Sequence, residues 1–437
     1  RRKSRRQIEE LVLQASNDLI DHLERRKLLP AIYFCFSRMD CERLAARNAR
    51  RDLLTPEERR RMLALFDELA ARYEVENAHD TREIRNLASR GVLYHHAGML
   101  PIDKEIVERL FTTGLVKLLF ATETFSLGVN MPARTVAFHS LCKYDGIRYG
   151  RILVREYWQM AGRAGRQGID TKGWVFAILD ESRIGYADLE HLQSGRSEPV
   201  RSRFNLNYSG ILNLYRRVGE GVTDAWGRSF ARHQREARGR KPDRGRGAKQ
   251  IQARLAMLRE RHYIEGDELT RKGRLCAQVN GYEIAVTEAY EHGWMLRCDA
   301  VQLAMLFAAM VYEARPHDAS ARPTRSLKGI AFPFTAHLEA FAAEEATLGV
   351  EPTIRPPDFG MAGPVQAWAE GMDFESVLAR TTLAPGDVVR VLRMTIQMLR
   401  QVRHALNPDD PMVEVLHDAQ TRIDRDVVDA KRQLELG

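Results

Sequence analysis

Val116-Lys-Leu-Leu-Phe-Ala-Thr-Glu-Thr-Phe-Ser-Leu-Gly-Val-Asn-Met-Pro-Ala-Arg134 is the stretch that decides the fold. Its first five residues are a short, mostly apolar run, and a loop rich in threonine, glycine and asparagine follows directly. Such a run reads as a strand buried on both faces, the mark of a parallel sheet covered by helices. Similar runs stand at Leu28–Phe36, Gly91–His96, Thr135–His139 and Gly173–Leu179. Helical patterns separate them. Ile8 to Lys27 is amphipathic, Cys41-Glu-Arg-Leu-Ala45 opens a helix, and Lys104 to Phe111 is another. Thr55-Pro-Glu-Glu58 reads as a helix start, with proline at the first position and acids in the first turn. Strands alternating with helices predict a parallel α/β sheet up to about residue 190.

The chain of 437 residues is too long for one core and predicts two to four domains. From Phe204 onward the pattern is almost wholly helical. One basic segment interrupts it, Arg228 to Lys249, with nine basic residues against Glu236 and Asp243. That nearly equals the net charge of the whole chain, +8, and points to a polyanionic partner; a solvated basic face is the bland alternative. Its centre, Arg238 to Gly247, has no apolar side chain and is expected to be a flexible loop. Ile251 to Leu258 reads as a helix, Tyr263 to Gly273 as a small β-wing, and the chain from about Tyr282 as a helical bundle. The expected domains are therefore 1–190, 191–280 and 281–437.

Five scattered cysteines, none in a CxxC pair, argue against a disulfide framework and a zinc site and predict a reducing, cytoplasmic setting. No run approaches the roughly 18 apolar residues of a membrane span. Arg1-Arg-Lys-Ser-Arg-Arg6 is too polar for a signal peptide, and the first residue is not methionine. The chain is expected to be the C-terminal part of something longer.

Two arginines carry the clearest chemistry. In Tyr157-Trp-Gln-Met-Ala-Gly-Arg-Ala-Gly-Arg-Gln-Gly168, Arg163 and Arg166 are three apart, a spacing that would place them on one helix face. Arginine suits a transferring phosphoryl group because its planar fork donates bidentately and keeps its charge. A salt-bridged surface helix is the structural alternative. The loop after Phe120 lies at the carboxyl edge of the sheet, where α/β proteins bind ligands. Thr122 and Thr124 can offer hydroxyls to a nucleic-acid phosphate, and Gly128 and Asn130 can approach a ribose. Ser37, at the end of the first strand, joins the nucleic-acid candidates. Taken singly, either threonine reads more readily as a strand-end cap. His95-His96 suggests no metal, because consecutive strand residues face opposite ways and no ligand cluster accompanies them.

His95-His-Ala-Gly-Met-Leu-Pro101, Ala121-Thr-Glu-Thr-Phe125, Gly128-Val-Asn-Met-Pro-Ala-Arg134, Lys143-Tyr-Asp-Gly146 and Gln159-Met-Ala-Gly-Arg-Ala-Gly-Arg166 together resemble motifs of superfamily-two helicases. They resemble the superkiller and exosome-associated branch of DExH-box RNA helicases most specifically. Ala-Thr-Glu-Thr-Phe is the discriminating piece, since DNA-repair and spliceosomal relatives tend to have Ala-Thr-Pro-Thr-Leu. Lys272-Gly-Arg274, Asn280-Gly-Tyr-Glu283, Thr287-Glu288 and Trp368-Ala-Glu-Gly371 extend the resemblance over nearly the whole chain. It implies a second RecA-like domain, a winged helix and a helical bundle through which single-stranded RNA is drawn. It implies that Arg163 and Arg166 are arginine fingers on ATP with Mg2+, and that Gln159 helps hold the nucleotide. By the same resemblance Thr122 and Thr124 contact the RNA backbone, and Gly128 and Asn130 link the RNA and ATP contacts. The helix from Asp387 to His404 would be a ratchet helix, with Arg390 and Arg393 facing the strand over a core stripe of Val389, Leu392, Ile396 and Leu399.

The chain departs from the family at Ala161, Gln167 and Ser126-Leu127, and carries only the short basic loop at about 236–249 where eukaryotic members have a long arch. It has no G-x-x-x-x-G-K-[S/T] and no Asp-Glu-x-His or Asp-Glu-x-Asp, so most ATP and Mg2+ ligands are expected from a first RecA-like domain, and the chain alone is not expected to hydrolyse ATP. RNA-decay machinery is a possible partner, and no membrane is expected. Two readings stay open beside the RNA helicase: a DNA-repair-type helicase and a non-enzymatic nucleic-acid-binding module.

Overall fold

The computed structural model describes residues 5–76, 79–126, 131–146, 148–200, 202, 207–237, 246–315, 318, 324–350 and 352–431. Gly128, Asn130 and most of the basic loop, residues 238–245, lie outside the described residues. Two compact units divide the chain between Pro199 and Val200.

The first unit runs α1 (Arg5–Arg25), β1 (Ala31–Phe34), α2 (Arg38–Asn48), α3 (Pro56–Arg72), α4 (His79–Ala88), β2 (Val92–His95), α5 (Pro101–Thr112), β3 (Leu118–Ala121), β4 (Thr135–Phe138), β5 (Cys142–Tyr144), β6 (Tyr149–Arg151), α6 (Val154–Ala161), β7 (Trp174–Ala177) and α7 (Tyr186–Gln193). Five strands form one sheet in the order β2-β3-β1-β4-β7, every pair parallel. Ala31 is registered between Leu118 and Thr135, so the central strand is buried on both sides. The five apolar runs of the sequence are these five strands, each shorter than its run because the flanking residues turn into loops.

Local signals set the helix starts. Thr55 accepts from the Glu58 amide at 3.2 Å, while its own amide donates to the Glu58 carboxylate at 2.9 Å, closing a capping box in front of Pro56. Helix α2 opens at Arg38, three residues before the expected Cys41, because Ser37 accepts from the Asp40 amide at 3.0 Å and starts it there. The hairpin of β5 and β6 is not foreshadowed in the sequence. Three residues per strand are too few to show alternation, and only Asp145-Gly146, with Gly146 at φ +98°, marks the turn.

The second unit runs α8 (Tyr208–Val218), α9 (Val222–Gly227), α10 (Phe230–Ala237), α11 (Arg246–Glu260), β8 (Ile264–Glu265), β9 (Glu268–Leu269), α12 (Arg271–Gln278), α13 (Glu283–Glu291), α14 (Ala300–Val311), α15 (Lys328–Thr347), α16 (Ala362–Ala369), α17 (Phe374–Leu378), α18 (Pro385–Ala405) and α19 (Met412–Ile423). The wing-like stretch is a two-stranded antiparallel pair that ends earlier than expected: Thr270 caps α12, so residues 271–273 are helical. Helix α14 is apolar almost all round and packs against α16, α18 and α19. Trp368 is fully buried and donates its indole N–H to the Ile423 carbonyl at 2.9 Å.

Glu288 is the polar centre of this unit. Its carboxylate takes the Lys272 ammonium (2.7 Å) and the Tyr263 hydroxyl (2.5 Å) on Oε1, and His337 (2.7 Å) and His292 (3.2 Å) on Oε2. Four partners saturate the acceptor sites of one carboxylate, so the group ties α12, α13 and α15 to the residue preceding β8. Burial pushes its pKa up, but Lys272, Tyr263 and His337 outweigh that and hold it below the usual glutamate value. Among the described residues Glu288, His292 and His337 are also the one group with metal-ligand spacing. All five cysteines are free and buried, and burial raises the pKa of Cys35, Cys142, Cys276 and Cys298, the last to about 12. No described helix is long and apolar enough to cross a membrane.

Asp103 on α5 is 2% exposed, with Thr81 Oγ1 donating to it at 3.2 Å. Burial pushes its pKa up from 3.8 to about 7, against the Thr81 hydrogen bond and with the Asp80 charge. The folded chain therefore holds a proton that the unfolded chain releases above its lower pKa. Stability falls as pH rises from about 4 to about 7 and stays lower beyond. Asp103→Asn should raise the unfolding temperature, by roughly 2–4 kcal/mol of stability at about pH 8 and by less at about pH 5. Thermal unfolding at both pH values checks this; a gain independent of pH would refute it.

Candidate functional site

Because all five strands are parallel, the loops after β1, β2, β3 and β4 emerge at one edge of the sheet. After β3 the chain makes a 3-10 turn, Glu123–Ser126. Phe125 anchors it, 2% exposed and edge-on to His95 (4.9 Å between centroids) and Phe111 (5.5 Å). With Phe125 inward, Thr122 is half-buried and Thr124 exposed, and their hydroxyls lie 2.9 Å apart. Ser37 stands at the end of neighbouring β1. Its hydroxyl donates to Asp40 Oδ2 at 2.7 Å besides capping α2, so it can donate to a phosphate only by exchanging that partner. A crevice of about 810 Å³ lies at this edge, lined by Ser37, Asp40, Arg43, His139, Asp180 and Arg183 among others.

The two arginines do not share a helix face. Helix α6 stops at Ala161, and Arg163 and Arg166 follow in a turn. The cause is a non-local backbone pairing: Ala133 donates to the Arg163 carbonyl (2.9 Å), and Gly165 donates to the Ala133 carbonyl (2.6 Å). Gly165 takes φ +94°, and a Cβ on Gly173 would fall 2.4 Å from the Ala164 oxygen, so both positions require glycine. Arg163 Nη2 donates to the Ser126 carbonyl at 2.5 Å. Arg166 makes a two-pronged contact with Asp170, Nε to Oδ2 at 2.7 Å and Nη2 to Oδ1 at 3.0 Å. Asp170 is only 6% exposed, and the guanidinium holds its carboxyl below the usual aspartate range. Gln159 is exposed on α6. Sequence reasoning missed Asp170; its signal is an acid four residues after Arg166.

The remaining candidates belong to the second unit. On α18, Val389, Leu392, Ile396 and Leu399 are buried as expected. Arg390 is exposed, with Asp387 at 3.8 Å, while Arg393 is half-buried and donates to the Val428 carbonyl at 2.9 Å.

Residues 45–168 match the family described as "Helicase conserved C-terminal domain", and residues 266–431 match "DSHCT (NUC185) domain". The chain is 35% identical over 328 residues to "Superkiller complex protein 2" of Homo sapiens, covering 68% of this chain and 26% of that protein. It is 36% identical over 222 residues to "Antiviral helicase SKI2" of Saccharomyces cerevisiae, 50% of this chain and 17% of the relative. It is 40% identical over 200 residues to "Exosome RNA helicase MTR4" of Homo sapiens, 45% of this chain and 19% of the relative. The chain carries a helicase C-terminal domain and a DSHCT domain and is similar to the C-terminal portion of superkiller and exosome-associated DExH-box RNA helicases. It spans about a quarter or less of the length of these curated relatives.

A double-mutant cycle of Arg166→Gln and Asp170→Asn, read by thermal unfolding, should give a coupling of about 1 kcal/mol. Additive losses would mean that the two-pronged contact does not hold the turn in solution.

Proposed function

We propose that this chain is the second RecA-like domain, winged helix and ratchet-helix bundle of an ATP-dependent RNA helicase that translocates on single-stranded RNA in RNA processing or decay, in the cytoplasm. The observation that carries the reading is the Arg163 contact with the Ser126 carbonyl, because it joins the turn that bears the Thr122 and Thr124 hydroxyls to the segment that bears the two guanidinium groups.

The residues present fit the phosphate groups of ATP; the Mg2+ ligands are expected from a first RecA-like domain. Both guanidinium groups rest on oxygen acceptors, and the Asp170 carboxylate fills the Arg166 fork as a phosphate would. Bound ATP supplies the phosphoanhydride whose hydrolysis drives the cycle, and a first RecA-like domain supplies the remaining ligands. In this chain Arg163 and Arg166 stabilise charge on the transferring phosphoryl group, and Gln159, exposed beside them, orients the nucleotide. The role of linking the RNA and ATP contacts falls to Gly128 and Asn130 by resemblance to the family alone. Thr122, Thr124 and Ser37 hold the RNA backbone at the sheet edge, and Arg390 with Arg393 tracks the strand along α18. Asp170 holds Arg166 by its Nε and Nη2 edge, which fixes the guanidinium and leaves Nη1 to donate to a phosphate when the motor closes.

Arg166→Ala in the native-length protein should lower RNA-stimulated ATP hydrolysis by about 10³-fold or more and leave RNA affinity within about twofold. The test is steady-state ATPase beside RNA binding. Loss of RNA binding with ATPase intact would overturn the finger role, and stronger stimulation by single-stranded DNA than by RNA would replace the RNA assignment.

A further inference from the structure

Lys143 sits on β5, in the hairpin that the sequence did not foreshadow, and has no part in the roles above. Its side chain is 18% exposed, and its ammonium lies 2.9 Å from Glu123 Oε1 and 3.0 Å from Glu156 Oε1. Glu123 is the first residue of the 3-10 turn that presents Thr124. Glu156 is in the first turn of α6, where its other oxygen accepts the Leu153 amide at 3.0 Å and caps the helix. One ammonium thus clamps the phosphate-facing turn to the start of the helix that carries Gln159 and leads into Arg163 and Arg166.

The far end of the same helix returns to the same turn. Arg163 donates to the carbonyl of Ser126, the last residue of the 3-10 turn, and Ala164 bridges to Ala133. The contacts close a ring: Glu123, Lys143, Glu156, α6, Arg163, Ser126 and back to Glu123. Within a ring, moving one side of the turn must move α6, since both ends of the helix are held by it. Burial disfavours the Lys143 charge, yet the two carboxylates raise its pKa above the usual lysine value, so the clamp stays charged at neutral pH.

We propose that Lys143 is a positioning residue that transmits engagement of an RNA phosphate on the Thr122–Ser126 turn to the Arg163 and Arg166 guanidinium groups, through its paired contacts with Glu123 and Glu156. The proposal rests on the helicase reading. It gives the glutamate of Ala121-Thr-Glu-Thr-Phe125 a specific task. A proline at that place has no carboxylate to offer the ammonium, so a chain with Ala-Thr-Pro-Thr-Leu must couple its turn to its helix by other means. Glu123 acts here on Lys143, not on the nucleic acid.

The experiment is ATPase against RNA concentration in the native-length protein, for wild type, Lys143→Met, Lys143→Arg and Glu123→Gln. Lys143→Met should keep basal ATPase within about twofold and lower the RNA-stimulated maximum about tenfold. Lys143→Arg should restore most of the stimulation, and Glu123→Gln, which takes the charge out of one of the two contacts and leaves the α6 cap intact, should fall between. Wild-type stimulation in Lys143→Met, or an equal fall in basal and stimulated rates, would overturn the proposal, the second by making Lys143 merely structural. Should Lys143→Met fail to fold, full stimulation in Glu123→Gln would overturn it in the same way. Absence of RNA stimulation in the wild type would instead refute the helicase reading itself, and the proposal with it.

Discussion

The backbone bridge between Ala133 and Ala164 is the contact on which the site depends. It stops α6 from continuing, turns Arg163 back toward Ser126, and sets Arg166 where Asp170 can meet it. Two glycines make it possible. Gly165 supplies a backbone angle that a side chain would strain, and Gly173 leaves room for the Ala164 oxygen. The glycine punctuation of this segment is therefore a requirement of close backbone approach, and the arginines owe their direction to it.

The parallel sheet gives that contact its setting. With β1 registered between β3 and β4, the ends of three neighbouring strands fall at one level, and the turn after β3 meets the turn after α6 without a long connection. Phe125 then decides which side chains of the turn face outward, since its burial against His95 and Phe111 leaves Thr124 to solvent. The second unit is organised by other means. An apolar α14 forms its centre, and Glu288 joins three helices through one saturated carboxylate. Such a hub favours one arrangement because loss of Lys272 would leave the buried Glu288 charge without its counter-ion.

What was legible in the sequence follows from range. Four of the parallel strands could be read because a strand buried on both faces is a continuous apolar run, and the edge strand β7, exposed or half-buried along its length, because it is apolar all the same; the start of α3 could be read because a capping box is local. The start of α2 was misplaced by three residues because Ser37 read as a loop residue and not as a cap. The helical face assigned to Arg163 and Arg166 was wrong because the pairing with Ala133 comes from thirty residues away and leaves no periodic trace. The partners of the candidate residues, Asp170, Val428 and Ser126, are equally non-local or carried by backbone oxygens, which every residue has. Composition gave the basic segment but not its conformation.

The buried thiols have a practical corollary. A thiolate is the reactive form of cysteine, and all five here are enclosed, four of them with ionisation made harder by burial. Enclosure of all five predicts slow reaction of the folded chain with thiol reagents. A single cysteine introduced at an exposed position on either unit would accept a dye or spin label alone, without the native five having to be removed. The native five would in turn report unfolding, since each becomes available only when the element that covers it opens.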